Sequence, residues 1–473
     1  MKIKAIKIIS FTVIFFISFY IVNNILKLKY DEGIYSLNTF YRQKNDTVDV
    51  LFLGSSQSYV HIIPSFLYDD YGISCYNLGG GIQPLWNTYY YLKEALKTQN
   101  PKLIVLDILT VSLYTNFSEN SIIIHNNFGI KSYINRMNSI MISSEKTQWN
   151  YFFNPLYQYH NRYSSLISED FLKYKGNKKY IYWKGEVLLY NIYSNQYNFI
   201  KYTNKIQIYE KSEKYYRAII ELSKKYNIPL LLIKTPTFLN DNYQGIFNSA
   251  REIALEYNVD FINFNDNYFD YNLDFSKDFA DQWGHLNYIG AKKFTEYLGK
   301  YLKTHYDLPD RRGDPKYYSW EMNAKYEDKN IYNFELKQSE NLNEYIEKVK
   351  NADDYVMGIT MLGNYQSNDI VVQNIATNFN IKDIYLQNAS YVIDNNKLIY
   401  SSAGSNQYLF HRGIGNYTDL VVDSGKKLSI NRVNYIKTQN GINIVIYDKF
   451  TEEIVDNIYL EYQGNSINPT IKR

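Results

Sequence analysis

A chain of 473 residues is too long for one ordinary domain, and two soluble domains are the natural expectation. A formal net charge of +3, with no basic stripe interleaved with aromatics, argues against a nucleic-acid partner; the single cysteine, Cys75, leaves no disulfide framework and no thiol-based metal site. The six histidines are scattered without ligand spacing, so neither a metal nor a cofactor is expected.

In chain order, Met1 to Lys7 carries three lysines and leads into an apolar run from Ile8 to Leu26, long enough to span a bilayer. Val22 to Lys27 offers no small-x-small cleavage site, which favours an uncleaved anchor over residues 1–29 rather than a cleaved secretory signal. Lys27 and Lys29 offset the positive-inside bias of Lys2, Lys4 and Lys7, and the body is expected outside the membrane, an extracytoplasmic single-pass arrangement. Residues 30–47 read as a stem.

From Asp49 onward short β-branched runs alternate with amphipathic helices. Strands are predicted at Val50 to Leu53, Ser74 to Asn77, Leu103 to Ile108, Pro229 to Ile233 and Val259 to Phe264. Helices are predicted at Pro84 to Thr98, Ser212 to Tyr226, Gly245 to Tyr257 and Tyr288 to Leu302. This pattern implies an α/β domain, three layers around a mainly parallel sheet, over 48–307. The periodicity lapses over about 109–206, an insertion on the loop edge that serves as part of a cleft or as a scaffold extension. Gly79-Gly80-Gly81 lacks the Lys-Ser/Thr of a phosphate loop.

Turn formers and charges over 308–317 read as a linker. Beyond it, 318–473 reads as a β-rich α/β domain, with a helix from Leu342 to Asn351. Its strand-like runs are Tyr355 to Thr360, Ile370 to Val372, Tyr391 to Ile393, Leu398 to Ser401, Leu420 to Val422, Asn443 to Tyr447 and Ile454 to Leu460. The 52 tyrosines accompany abundant Asn, Ile and Lys, a composition that reads as codon bias, although together they supply amphipathic faces suited to sugars.

Two segments carry chemistry. Gly54-Ser55-Ser56 follows the first strand, and Asp281-Gln282-Trp283-Gly284-His285-Leu286-Asn287 precedes the last helix of the same domain. A parallel sheet brings both to its C-terminal edge, where ligand sites of open α/β sheets form. A serine hydroxyl is a poor nucleophile until a base takes its proton, and the base needs a third group to hold its tautomer. Ser56, His285 and Asp281 are the residue types for those roles, and the amides of Ser56 and Gly79 are the candidate oxyanion donors. The alternative is a helix-capping turn beside a surface histidine.

Phe52-Leu53-Gly54-Ser55-Ser56-Gln57-Ser58, Tyr76-Asn77-Leu78-Gly79 and Asp281 through His285-Leu286-Asn287 with Gly290-Ala291 resemble the sequence blocks of the SGNH (GDSL-like) hydrolase superfamily. More narrowly, they resemble its membrane-anchored bacterial branch, which includes proteins of D-alanyl-lipoteichoic acid biosynthesis and polysaccharide O-acetylation. The resemblance covers 48–305. It implies a flavodoxin-like sheet, an ester acyl transfer or hydrolysis, Ser56 as nucleophile, His285 as base, Asp281 as its orienter and Gly79 as the second-block glycine. It further implies a cell-surface glycan substrate and a membrane-bound O-acyltransferase as partner. The chain departs from the family in two places. Its Asp-x-x-His is longer by one residue, which leaves Asp278 as an alternative to Asp281; no Gly-x-Asn-Asp block follows Ile108, which leaves Gln83 or Asn77 to supply a side-chain amide.

The run Ile430 to Tyr435, followed by Asn440 to Asp448 and Ile454 to Asp456, resembles the interleukin-like EMT inducer domain. That resemblance implies carbohydrate recognition by the C-terminal domain. The competing functional class is a glycan-binding or scaffold protein that keeps the hydrolase fold without its chemistry.

Overall fold

In the computed structural model, residues 2–28, 32–112, 116–153, 159–166, 168–171, 182–197, 199–363, 369–382, 384, 388–402, 409–416, 418–423, 426–463 and 466–473 are described. Five short strands make the first sheet: β1 (Val50–Gly54), β2 (Cys75–Gly79), β3 (Leu103–Asp107), β4 (Leu230–Lys234) and β5 (Asp260–Asn263). They pair in the order β2-β1-β3-β4-β5, every pair parallel. The first four strands are buried along their whole length, as a parallel sheet covered on both faces requires. The order reverses between β1 and β3, which opens a crevice at their C-terminal ends.

The helices are α1 (Lys2–Leu26), α2 (Glu32–Phe40), α3 (Ser56–His61), α4 (Pro64–Tyr71), α5 (Leu85–Ala95), α6 (Asn120–Asn127), α7 (Tyr133–Ser143), α8 (Trp149–Phe153), α9 (Ser168–Phe171), α10 (Glu210–Lys225), α11 (Asp241–Glu256) and α12 (Tyr288–His305). Leu51 and Leu53 of β1 point into one core with Phe40, Trp86, Tyr91, Tyr216, Ile220 and Phe247, drawn from α2, α5, α10 and α11. The period-two alternation of a strand sends Val50 and Phe52 to the other face; α12 packs against α3 and α4, with Phe294, Leu298 and Leu302 fully buried. Three layers result. Helix α1 is long and apolar enough to cross a membrane, with a mean hydropathy of 2.3 over Lys4–Leu26. The segment expected as a stem contains α2, whose Ile34, Leu37 and Phe40 are buried and whose Thr39 hydroxyl meets the Tyr76 hydroxyl at 2.6 Å.

The chain divides into two compact units, Met1–Ala324 and Lys325–Arg473. The division falls inside α13 (Tyr318–Gln338). The segment expected as a linker belongs to the first unit: Arg311 grips Asp49 through Nε at 2.6 Å and Nη2 at 2.9 Å, and Leu308 is buried.

The second unit adds α14 (Leu342–Asn351), β6 (Tyr355–Leu362), α15 (Ile370–Phe379), β7 (Ser390–Asp394), β8 (Lys397–Ser401), β9 (Leu409–Gly415), β10 (Thr418–Asp423), β11 (Lys427–Ile430), β12 (Val433–Asn434), β13 (Gly441–Asp448), β14 (Glu453–Gln463) and β15 (Ser466–Ile467). A six-stranded sheet, β15-β14-β13-β6-β7-β8, and a four-stranded sheet, β12-β11-β10-β9, are both antiparallel throughout. Alternate residues of β6 explain its complete burial. Tyr355, Met357, Ile359 and Met361 join the helices in one core, while Val356 meets Leu420, Val422 and Leu428 of the smaller sheet in another. Gly358 lies on that second face, where a Cβ would come within 2.5 Å of a Leu428 methyl. The strand expected at Ile370 to Val372 is instead the first turn of α15. Asp369 caps it by accepting the amides of Val371 at 2.8 Å and Val372 at 3.3 Å, and Ile375, Ala376 and Phe379 keep the helical period.

Candidate active site

Gly54 ends β1 at φ +151, a backbone conformation that side-chain-bearing residues rarely adopt, and a Cβ there would lie 3.0 Å from the Cβ atoms of both Asp107 and Ser58. The strand therefore turns abruptly into α3, and Ser56 becomes the first helical residue. Its Oγ lies 2.8 Å from His285 Nε2, and His285 Nδ1 lies 2.7 Å from Asp281 Oδ2. The carboxylate at Nδ1 sets the tautomer that leaves the Nε2 lone pair facing the serine hydroxyl. Side-chain exposures of 20% for His285 and 33% for Asp281 leave the pair open to solvent on one side.

The extra residue between acid and base is absorbed by a turn. Asp281 Oδ1 accepts the amides of Trp283 at 2.9 Å and His285 at 3.2 Å. Gly284 sits at φ +77, where a Cβ would collide with Thr237 Oγ1 at 2.2 Å. Asp278 takes no part: it is buried and accepts from the Asp274 amide and from Lys293 Nζ, each at 2.7 Å. A bridge between Phe279 and Leu286 closes the loop, and Asn287 caps α12 by accepting the amides of Ile289 and Gly290, each at 3.1 Å.

Of the expected oxyanion donors, the Ser56 amide has no intrahelical partner because it opens a helix. Gly79 ends β2 in register with Gly54, and a Cβ on it would approach the Gly54 carbonyl oxygen to 2.7 Å, so only glycine fits beside the turn into Ser56. The side-chain amides are engaged elsewhere. Gln83 donates to Thr88 Oγ1 at 2.9 Å, bracing the start of α5, and Asn77 donates to the Ile62 carbonyl at 2.6 Å. Among the described residues, no hydrogen bond joins Gln83 or Asn77 to Ser56, Asp281 or His285. After Ile108, where the side-chain amide was sought, Leu109–Ser112 forms a 3-10 turn.

Several supporting residues went unread in the sequence. Lys234, fully buried at the end of β4, donates to Gln57 Oε1 at 2.6 Å and to the Thr235 carbonyl at 2.7 Å. Gln57 Nε2 donates to Thr237 Oγ1 at 2.8 Å, and Thr237 Oγ1 donates to the Gly284 carbonyl at 3.1 Å. This chain of bonds ties the residue after Ser56 to the residue before His285. Burial pushes the Lys234 ammonium down to about 8, against the opposing pull of Asp107, whose Oδ2 lies 3.9 Å away. His61, at the end of α3, accepts the Leu286 amide at Nε2 over 3.1 Å, with its ring edge-on to His285 at 6.2 Å. Burial, reinforced by His285 and then Lys234, holds His61 well below the usual imidazole range, so it serves as a neutral acceptor. One signal was available: a lysine closing a buried apolar strand at the sheet's C-terminal edge.

The insertion returns to α10 as an extended strap that laces the two halves together. Lys184 O accepts the Asn77 amide at 2.9 Å, the Val187 amide reaches Tyr59 O in α3 at 2.9 Å, and Leu189 O accepts the Tyr288 amide at 2.7 Å. Farther on, the Tyr193 amide reaches Phe279 O at 2.8 Å. Lys184 anchors the strap, fully buried, 4.2 Å over the Trp320 ring and donating to Gln43 Oε1 at 2.8 Å and Ser319 Oγ at 3.0 Å. Beside the pair, Trp283 is 72% exposed. A hydroxyl, an imidazole and a carboxylate in this order can move a proton from nucleophile to leaving group. A scan against family models matches none of them, and a search of curated proteins finds no match.

Proposed function

We propose that this chain is a membrane-anchored, extracytoplasmic serine esterase or O-acyltransferase that modifies a cell-surface polysaccharide or teichoic-acid-like polymer. The observation that carries this reading is the continuous hydrogen-bonded series Ser56–His285–Asp281 at the C-terminal edge of a parallel sheet. The resemblance of its sequence blocks to the SGNH hydrolases supports the same reading. So does Trp283, which lies between acid and base in the sequence and whose exposed indole offers a flat apolar face of the kind that stacks on sugar rings.

In the first step Ser56 Oγ attacks the ester carbonyl of the acyl donor while its proton passes to His285 Nε2. Asp281 stabilises the imidazolium and holds its orientation. The tetrahedral oxyanion is received by the amides of Ser56 and Gly79. As the donor's acyl–oxygen bond breaks, His285 returns the proton to the leaving oxygen and an acyl-Ser56 ester remains. In the second step a glycan hydroxyl, or water in hydrolysis, gives its proton to His285 and attacks that ester; Ser56 then recovers a proton from His285. For net transfer to a glycan, a membrane-bound O-acyltransferase is the partner that delivers the acyl group.

Covalent labelling with a serine-reactive fluorophosphonate, read by peptide mapping of wild type, Ser56→Ala and His285→Ala, tests the reading. Label at Ser56 that requires His285 is the expected result. Among the described residues no side-chain amide joins the oxyanion donors, and this favours the second reading, a glycan-binding protein that keeps the fold without its chemistry. Under that reading folded wild type stays unlabelled, and Ser56→Ala leaves glycan binding intact.

A further inference from the structure

Where α1 meets the first unit there is a cavity of about 220 Å³. Asn23 and Lys27, from the end of the apolar helix, form one wall, and Tyr133 and Arg136 of α7 form another. Fully buried Ile140 and Phe152 make its floor. Two cations line it, and no carboxylate does so among the described residues. Arg136 has no ion pair among the described residues; its guanidinium lies over the Tyr133 ring, 5.8 Å from the ring centre.

The position of the cavity is fixed by a clasp. Arg162 donates to the Leu26 carbonyl at 3.0 Å and to the Lys27 carbonyl at 3.3 Å, the last acceptors of α1, while Asp170 holds its Nη2 through both carboxylate oxygens at 2.8 Å. The 23 residues from Lys4 to Leu26 span about 35 Å as a helix, slightly more than a hydrocarbon core of about 30 Å. With α1 in a bilayer, Lys27 therefore stands at the level of the lipid phosphates. Tyr163 and Phe171, on elements packed against α1, and Tyr133 and Ile134, at the start of α7, are exposed, as side chains at a membrane–water interface are.

We propose that this cavity holds the headgroup of an anionic phospholipid, its phosphate between Lys27 and Arg136 and its acyl chains in the bilayer beside α1. The inference rests on reading α1 as a membrane anchor. The volume lies below the range of about 300–1,000 Å³ typical of whole-ligand pockets, which suits a headgroup rather than an entire lipid. Charge complementarity selects an anionic headgroup over a zwitterionic one.

The test uses the full chain. Flotation with phosphatidylcholine vesicles comes first: a chain that stays out of the lipid fraction fails as an anchored protein, and the lipid site falls with it. For a chain that floats, native mass spectrometry from neutral detergent compares phosphatidylglycerol with phosphatidylcholine. The expected preference for phosphatidylglycerol is about twenty-five-fold, two cations each contributing a factor of about five. It shrinks to within about threefold in Lys27→Ala/Arg136→Ala and is unchanged in Lys4→Ala/Lys7→Ala, which removes equal charge from the other end of α1. In wild type alone, high salt weakens phosphatidylglycerol binding and spares phosphatidylcholine, a reading independent of how the variants fold. Equal binding of the two lipids by a floating chain, or a preference that survives the double substitution, overturns the proposal.

Discussion

Both units bury polar groups deeply, and the two networks end differently. In the second unit Asp448 Oδ1 accepts the Phe450 amide at 2.8 Å while Oδ2 accepts Asn333 Nδ2 at 2.9 Å, and the Tyr355 hydroxyl donates to Asn333 Oδ1 at 2.5 Å. Asn443 accepts the amides of Lys437 at 2.7 Å and Thr438 at 2.9 Å and donates back to the Thr438 carbonyl at 2.9 Å. These bonds close on backbone and on one another, and they hold turns in place. In the first unit the network of Asp107, Lys234, Gln57 and Thr237 runs to the Gly284 carbonyl, beside the partly exposed His285–Asp281 pair that meets Ser56. Buried polarity alone therefore does not mark a reactive site. What distinguishes the first network is where it stops.

That contrast breaks most decisively at the triad. Ser56→Ala abolishes fluorophosphonate labelling at position 56, and His285→Ala lowers labelling of Ser56 by about 10³-fold or more, each with melting temperature nearly unchanged. Next in size is the pH dependence of Lys234. Its folded-state value is depressed from 10.5 to about 8, so the unfolded chain binds more protons between those limits and stability rises with pH across that window. The difference amounts to about 3 kcal/mol, is complete near pH 10.5 and vanishes at or below pH 8; denaturant melts of wild type against Lys234→Met measure it.

Smaller again is Asn443→Ala, which strands the buried Thr438 amide and the part-buried Lys437 amide and costs the second unit about 2 kcal/mol in thermal unfolding while leaving the labelling rate of Ser56 unchanged. The smallest effect belongs to the other histidine–carboxylate pair. His411 Nε2 lies 3.1 Å from Asp419 Oδ2, but both side chains are exposed. His411→Ala shifts stability by no more than about 0.5 kcal/mol and leaves labelling unchanged; a loss of label there would join the second unit to the chemistry.

Of the five parallel strands, β1, β3 and β4 were legible as short aliphatic runs and β2 and β5 as short apolar stretches bounded by turn chemistry; Ser56 and His285 were legible because they fall at strand and helix boundaries. The choice between Asp281 and Asp278 was not legible, since it depends on a turn that Gly284 permits at φ +77 rather than on spacing. Gln57 and His61 lie within one short helix of Ser56, yet their partners, Lys234, Thr237 and Leu286, are brought to them only by folding. The strap has no periodicity of its own because its hydrogen bonds go to other elements. Ile370 to Val372 misled because three β-branched residues favour a strand locally, and the Asp369 cap with the apolar spacing beyond it outweighs that preference.

The bond between Ser56 and His285 joins residues 229 positions apart. During synthesis the serine therefore emerges long before its imidazole partner exists, while most of the first unit is still being made. A truncated product ending between Ser56 and His285 carries the serine hydroxyl without the imidazole that meets it in the complete fold. Under the proposed function, reactivity at Ser56 waits on the completion of the fold.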